Sequence, residues 1–300
     1  MARSDRPLSR SLIKFGARLF LGRNLAHAQD WFPGLSIDGK RVVNYRGQPV
    51  VGLEGTDILL DGSRAWIHIF GSGPSVADAD LSRLDPGGAI LLNGAIHLAG
   101  GPVAAPLAIA VEDERFVYRH FELMREKIAA GQACLFSVAV LRAICEHDRG
   151  WLADKRVVLI NDIRKPYGLP RRTPAQISGL DFVRLDPTGE YGFSLAPDRG
   201  VFQGGSVAVS VLQFAVALRP MMIGFVGIDI RNARQPRFYE EKGTSAFSGV
   251  ADAEGRILGH IALAKAVAEE QGIRFVNFSP VSALADIAIA YDDRLVRTGV

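Results

Sequence analysis

From Ala65 onward, short apolar runs alternate with longer stretches whose apolar residues recur at helical spacing. Ala65–Phe70, Ala89–Leu92, Leu107–Val111, Arg156–Ile160, Met221–Val226 and Ile273–Phe278 predict strands. Ser75–Leu84, Arg115–Ala130, Ser137–His147, Gly205–Leu218 and Gly255–Gln271 predict helices. Several of the strands are apolar throughout instead of alternating. That is the pattern of strands covered on both faces. Strands alternating with helices predict an α/β fold with a mostly parallel sheet and helices on both of its faces.

The two flanks of this alternation differ. Arg41 to Leu60 predicts short strands with turns at Arg46-Gly47 and Asp61-Gly62. Nearer the start, Leu8, Leu12, Phe15 and Leu19 recur at helical spacing, with Ile13 and Phe20 beside them and Arg10, Lys14 and Arg18 on the other face. Gly16 and Gly22 weaken this helix. A basic amphipathic helix lies on an anionic membrane surface or docks on its own domain with its arginines outward. Pro166–Pro197 is polar and rich in glycine and proline, longer than a connection needs, and predicts a lid or binding loop. The chain divides into a basic amphipathic segment, 1–30, and a single domain, 31–300, with a lid around 164–200.

Composition narrows the picture. Three hundred residues, 48% hydrophobic and 22% charged, suffice for a sizeable core. A net charge of +3 gives no general case for nucleic acid. The basic residues are nevertheless clustered: Arg3, Arg6, Arg10, Lys14, Arg18 and Arg23 face only Asp5 at the start, and Arg164, Lys165, Arg171 and Arg172 form a second group. Cys134 and Cys145 have no CxxC spacing, so they predict neither a disulfide framework nor a metal site, and they suit a reducing, cytosolic setting. No apolar run is long enough to span a membrane. Ala26-His27-Ala28 has the form of a signal-peptide cleavage site, but Lys14 and Arg18 break the preceding apolar run.

In parallel sheets ligands bind beyond the carboxyl ends of the strands. Here those ends are polar: Gly71-Ser72-Gly73-Pro74-Ser75, Asn93, Glu112-Asp113, Asn161-Asp162 and Gly227-Ile228-Asp229. A strand feeding a glycine turn and then a helix N-terminus, with Ser75 as its cap, is an anion-binding device suited to a nucleotide phosphate. The alternative is a plain tight connection. The third glycine of the dinucleotide fingerprint is replaced by Val76. Asp78-Ala79-Asp80 lies on the predicted helix, where the two side chains diverge, and reads as a solvated face, not a metal motif.

The residues Gly71-Ser72-Gly73-Pro74-Ser75, then Asp80-Leu81-Ser82-Arg83-Leu84, then Asn93, resemble the opening of the bacterial lipooligosaccharide sialyltransferases. Gly204-Gly205-Ser206 with its apolar helix and Gly227-Ile228-Asp229 resemble that family's second block. Phe275–Leu284 is similar to its last strand and the segment that follows. The blocks occur in the family's order between Trp66 and Asp286. The resemblance implies a Rossmann-like nucleotide-binding domain with a lid. It implies transfer from a CMP-activated acidic sugar with inversion, a histidine base, and neither cofactor nor metal. Gly71, Ser72, Gly73, Pro74 and Asn93 would then contact the nucleotide, Gly205 and Ser206 its phosphate, and Gly227 and Asp229 the edge of the donor pocket.

The chain also departs from the family. Ser72 replaces a nucleotide-binding Asn, Glu112 or Asp113 replaces another, and Tyr239 is the nearest tyrosine after the Gly-Ile-Asp motif. Tyr239 with Arg231, Arg234 and Arg237 offers a cationic surface for a sugar carboxylate. His260 is the nearest match to the family's base. The changed positions favour Kdo or a related ulosonic acid over sialic acid. The acceptor would be lipopolysaccharide or another lipid-linked surface saccharide. The protein would lie in the cytoplasm against the inner, anionic face of the membrane, with homo-oligomers allowed. Two other classes remain open: a Rossmann-type nucleotide-dependent oxidoreductase, and a non-catalytic saccharide- or partner-binding member of the same fold.

Overall fold

The structure is a computed structural model that describes residues 6–27, 34–60, 65–84, 87–232, 235–240 and 250–297. Arg3, Arg234 and the turn predicted at Asp61-Gly62 lie outside the described residues. The strands are β1 (Leu35–Ile37), β2 (Val42–Tyr45), β3 (Gln48–Glu54), β4 (Trp66–Phe70), β5 (Ala89–Leu92), β6 (Ala108–Val111), β7 (Ala133–Ser137), β8 (Arg156–Ile160), β9 (Val183–Leu185), β10 (Gly192–Ser194), β11 (Met222–Val226) and β12 (Arg274–Asn277). The helices are α1 (Leu8–Phe20), α2 (Gly22–Leu25), α3 (Glu114–Lys127), α4 (Val138–Asp148), α5 (Pro174–Ser178), α6 (Val207–Ala217) and α7 (Glu254–Glu270).

Ten strands form one sheet in the order β1-β2-β3-β8-β7-β6-β5-β4-β11-β12. The β1–β2 and β2–β3 pairs are antiparallel, and every pairing from β3 to β12 is parallel. From β4 to β8 the chain adds strands in one direction. It then crosses back and adds β11 and β12 on the other side of β4. Right-handed crossovers require helices on opposite faces when the direction of addition reverses. Accordingly Val117, Phe121 and Met124 of α3 and Leu141 and Ile144 of α4 pack with Phe70, Leu91 and Ile109. Val209 and Leu212 of α6 and Ile257 and Ile261 of α7 pack with Ile67, Ile69 and Ile90 on the other face. Several strands, β5, β6 and β11 among them, are apolar throughout because both faces are covered, as the sequence predicts.

Three local expectations are corrected. No α-helix runs over Ser75–Leu84. The segment forms two short 3-10 turns, Pro74–Asp78 and Leu81–Arg83, separated by extended residues. Asp80 caps the second turn by accepting the Ser82 amide. The amide of Asp80 donates instead to Leu295 at 2.6 Å, and Ala79 pairs with Val296, so the C-terminal segment takes the hydrogen bonds a helix would have used. Second, β7 lies between two predicted helices and is buried at all five positions. A five-residue apolar run carries no period that separates a buried strand from a buried helical turn. Third, the segment predicted as a loop contains α5, closed by a capping box of Thr173 and Gln176, and the β9–β10 hairpin. Ile163, Ile177, Phe182 and Phe202 give it a small core of its own.

Helix α1 docks on the domain with Arg10 and Lys14 inward and Arg18 exposed, whereas the docked orientation expected from sequence put all three outward. Arg6 Nε donates to Glu114 Oε1 at 2.5 Å, Arg10 Nε donates to Oε2 at 3.2 Å, and Lys14 Nζ donates to Oε1. Glu114 opens α3, where a carboxylate is favoured by the helix dipole. Its side chain is only 2% exposed, and a carboxylate this buried requires charged partners. The apolar side of α1 is left facing outward, with Leu8 84% and Phe15 69% exposed.

Burial by itself would raise the Glu114 carboxyl; Lys14 and Arg10 overcome that and hold it down at about 2. Removing this charge by Glu114→Gln leaves the cations without their shared anion and should cost about 3 kcal/mol, read by urea unfolding at neutral pH. The folded carboxyl titrates below its ordinary 4.5, so its stabilisation is complete above that pH and is lost as pH falls towards 2. That acid-sensitive window should be absent in the variant; an unchanged acid profile would mean the cluster contributes nothing.

Candidate functional site

The reversal in strand order puts β4 and β11 side by side, so the turns that follow them meet. The Gly71 amide donates to the Val226 carbonyl at 2.8 Å, and the Gly73 amide to the Gly227 carbonyl at 2.9 Å. A Cβ on Gly71 would fall on the Gly227 carbonyl, so only glycine allows the two turns this close. Asp229 closes the junction. Its carboxylate accepts the Ser75 amide at 2.8 Å and the Ser75 hydroxyl at 2.6 Å. This corrects the phosphate device expected from sequence: no α-helix follows the turn, and Asp229, an internal anion, occupies the amide of Ser75.

Positive helix ends reach the same edge of the sheet from three other elements. Asp113 caps α3, Ser137 caps α4 and Ser206 caps α6. Between the α3 and α6 ends and the two glycine turns lies a cavity of about 230 Å³. Its lining includes Gly71, Ser72, Gly73 and Pro74 from the first turn, and Gly227 and Asp229 from the second. Asn93, Ser206, Arg119 and His120 complete the wall. Asn93 sits at a φ of +44°, a left-handed conformation that Asn tolerates through its short polar side chain. Its Oδ1 is buried and accepts no hydrogen bond from any described residue. An orphan acceptor of this kind costs on the order of 1–3 kcal/mol, which a ligand N–H or O–H would recover.

A second cavity of about 800 Å³ adjoins the first, and Asn93, Asp113, Arg115, Ser206 and Arg237 line both. Glu112 and Gly205 line only the second. Burial pushes the Glu112 carboxyl up to about 8, against the opposing hydrogen bond that Ser210 Oγ donates at 2.6 Å; nearby Asp162 and Asp113 add to the rise. Asp162, at the end of β8, is also raised by burial. His120 sits where α3 kinks, against the Phe116 ring, and burial with the charge of Arg119 lowers it to about 4.

Two predicted site residues lie elsewhere. His260 is in the body of α7, 1% exposed, and lines neither cavity. Its Nδ1 hydrogen-bonds with the Gly192 backbone, 2.8 Å from the carbonyl, and its ring packs against Tyr191 and Phe202, so it fastens the β9–β10 hairpin to the domain. Tyr239 stacks on His97 with ring centroids 4.1 Å apart, behind Gly94, and also stays outside both cavities. Arg231 is turned away to Asp286, whereas Arg237 reaches the site.

Sequence reasoning missed Arg115, Arg119 and His120, which follow directly from the polar end of β6. The i, i+4 spacing of Arg115 and Arg119 just beyond a strand end was the available signal. It also missed α1 as a wall: Arg6 and Lys14 line the second cavity, and no periodicity argument brings residues 100 positions from Glu114 to its side. Among the described residues, no three His, Cys, Asp or Glu side chains are grouped to hold a metal ion.

His260→Ala should cost about 3 kcal/mol of stability by emptying a packed site and stranding the Gly192 carbonyl. Burial lowers the imidazole from its ordinary 6.5 to about 4. A depressed folded value means full stabilisation above 6.5 and progressive loss as pH falls towards 4. Thermal melts between those limits should slope less in the variant; an identical slope would show that His260 is not buried neutral.

No protein-family model matches this chain, and neither the curated proteins nor the solved structures contain a match to it.

Proposed function

We propose that this protein is an inverting glycosyltransferase that moves an ulosonic acid, of the Kdo or sialic-acid type, from a CMP-sugar to a saccharide acceptor. On this reading the fold is Rossmann-like and the segment 164–200 acts as its lid. The observation that carries it is the unpartnered Asn93 Oδ1 at the end of β5, in the cavity that it shares with the Gly71–Pro74 turn, Ser206 and the Gly227–Asp229 turn. A cytosine exocyclic amine or a ribose hydroxyl supplies the donor that this oxygen lacks. The α3 and α6 N-termini with Arg115 and Arg119 suit the single phosphate of a CMP leaving group.

The chemistry divides between the two cavities. The donor occupies the smaller one and the acceptor hydroxyl enters from the larger. The acceptor oxygen forms a bond to the anomeric carbon from one side as the bond to phosphate breaks on the other. The proton goes to Glu112, which lines the acceptor side, and CMP departs carrying the electron pair. Glu112 takes the base role in place of His260, because its carboxyl borders the larger cavity and titrates at about 8. The dinucleotide alternative fares worse, since Asp229 already holds the amide of Ser75 that a pyrophosphate would use.

Calorimetric titration with CMP, UMP, GDP and NAD tests the class. CMP alone should bind, and Asn93→Ala should weaken it about tenfold or more, the loss of one buried hydrogen bond. Binding of NAD in place of CMP would return the protein to the oxidoreductases. With CMP-Kdo or CMP-sialic acid as donor, transfer should rise with pH up to about 8, where Glu112 ionises. Glu112→Gln should keep CMP affinity and lose about 10²- to 10⁴-fold in rate. Full transfer by that variant would remove Glu112 as the base.

A further inference from the structure

The two sides of α1 do different things. Leu8, Leu12, Phe15, Leu19 and Phe20 face outward, each at least 67% exposed. Arg6 and Lys14, on the other side, line the larger cavity. The apolar face and the cavity are therefore separated by one helix, about 10 Å. The cavity is strongly basic. Eight lysines and arginines line it against four carboxylates, and one of those, Glu112, holds its proton at neutral pH. Lys165 and Arg171 belong to that lining, and neither side chain makes a hydrogen bond or ion pair with a described residue. The N-termini of α4 and α6 open into the same space. Phosphate is the anion such a set of donors fits.

We propose that α1 inserts its apolar face into a lipid bilayer and that the larger cavity takes the phosphate-bearing head group of a lipid-anchored acceptor, whose tail stays in the bilayer. The proposal rests on the glycosyltransferase reading for the word acceptor; the membrane contact and the head-group site do not depend on it. The bilayer is favoured over a second copy of the chain by charge. Residues 6–27 contain no Asp or Glu, and Arg18 and Arg23 are exposed beside the apolar stripe. A two-fold pairing of this helix would set these arginines against one another, whereas a lipid surface brings phosphates to them. The inward-facing basic residues are already engaged with Glu114. Attachment is thus mainly apolar, and anionic lipid acts chiefly through the cavity.

Flotation of the full chain with vesicles tests this. Three compositions are used: phosphatidylcholine alone, the same with phosphatidic acid, and the same with oleate at equal charge. The native protein should float with all three and bind about tenfold more tightly when phosphatidic acid is present than when oleate supplies the charge. Leu12→Asp with Phe15→Asp changes two exposed positions and should abolish flotation, while inorganic phosphate, followed by calorimetry, still binds. Lys165→Glu with Arg171→Glu should float with phosphatidylcholine like the native protein and lose both the phosphatidic acid preference and phosphate binding. Undiminished flotation of the first variant overturns the bilayer contact. A native dimer that the same variant turns into a monomer overturns it too, in favour of a second copy. Retention of the phosphatidic acid preference by the second variant overturns the head-group site, and phosphate binding without that preference leaves a soluble phosphate ligand in its place. CMP titration of the same samples keeps the readings apart, since intact lipid responses without CMP binding would remove the nucleotide assignment alone.

Discussion

The close approach of two chain turns at the middle of the sheet organises this molecule. Strand β4 is the point from which strands are added in both directions. Its turn and that of β11 touch backbone to backbone through glycines, where a side chain would collide with the neighbouring carbonyl. Asp229 then bridges the turns through Ser75. Everything at the carboxyl edge follows from that reversal: helices leave for opposite faces, and a crevice opens where they diverge.

Charge is distributed around the crevice in an unequal way. The carboxylates at its margin are spent on the protein itself. Asp113 caps α3, Glu114 collects Arg10 and Lys14 from α1 and Arg6 just before it, and Asp229 holds the β4 turn. The basic side chains outnumber them, and three helix N-termini add to the same sign. The outcome is an electropositive hollow in which a carboxyl such as Glu112 can still be kept protonated at neutral pH, because it is buried near two other acids. Two of the histidines with depressed values illustrate the opposite case. Desolvation outweighs nearby acids at His120 and His260, so both stay neutral.

The pattern of apolar runs was sufficient to determine the α/β class, most of the parallel strands and the polar character of their carboxyl ends. Those features are local: burial on two faces demands runs that are apolar at every position, and strand ends demand turn residues. Asn93, Gly227 and Asp229 could be singled out on that basis and Ser206 through the resemblance, and all four line the cavity. Only the tertiary structure decided what each does. Asp229 ties down the β4 turn through Ser75, His260 fastens a hairpin, Tyr239 stacks on His97, and α1 turns Arg10 and Lys14 inward. Each of these outcomes is set by a partner distant in sequence, and a helical or strand period specifies which face a residue occupies but not what that face meets.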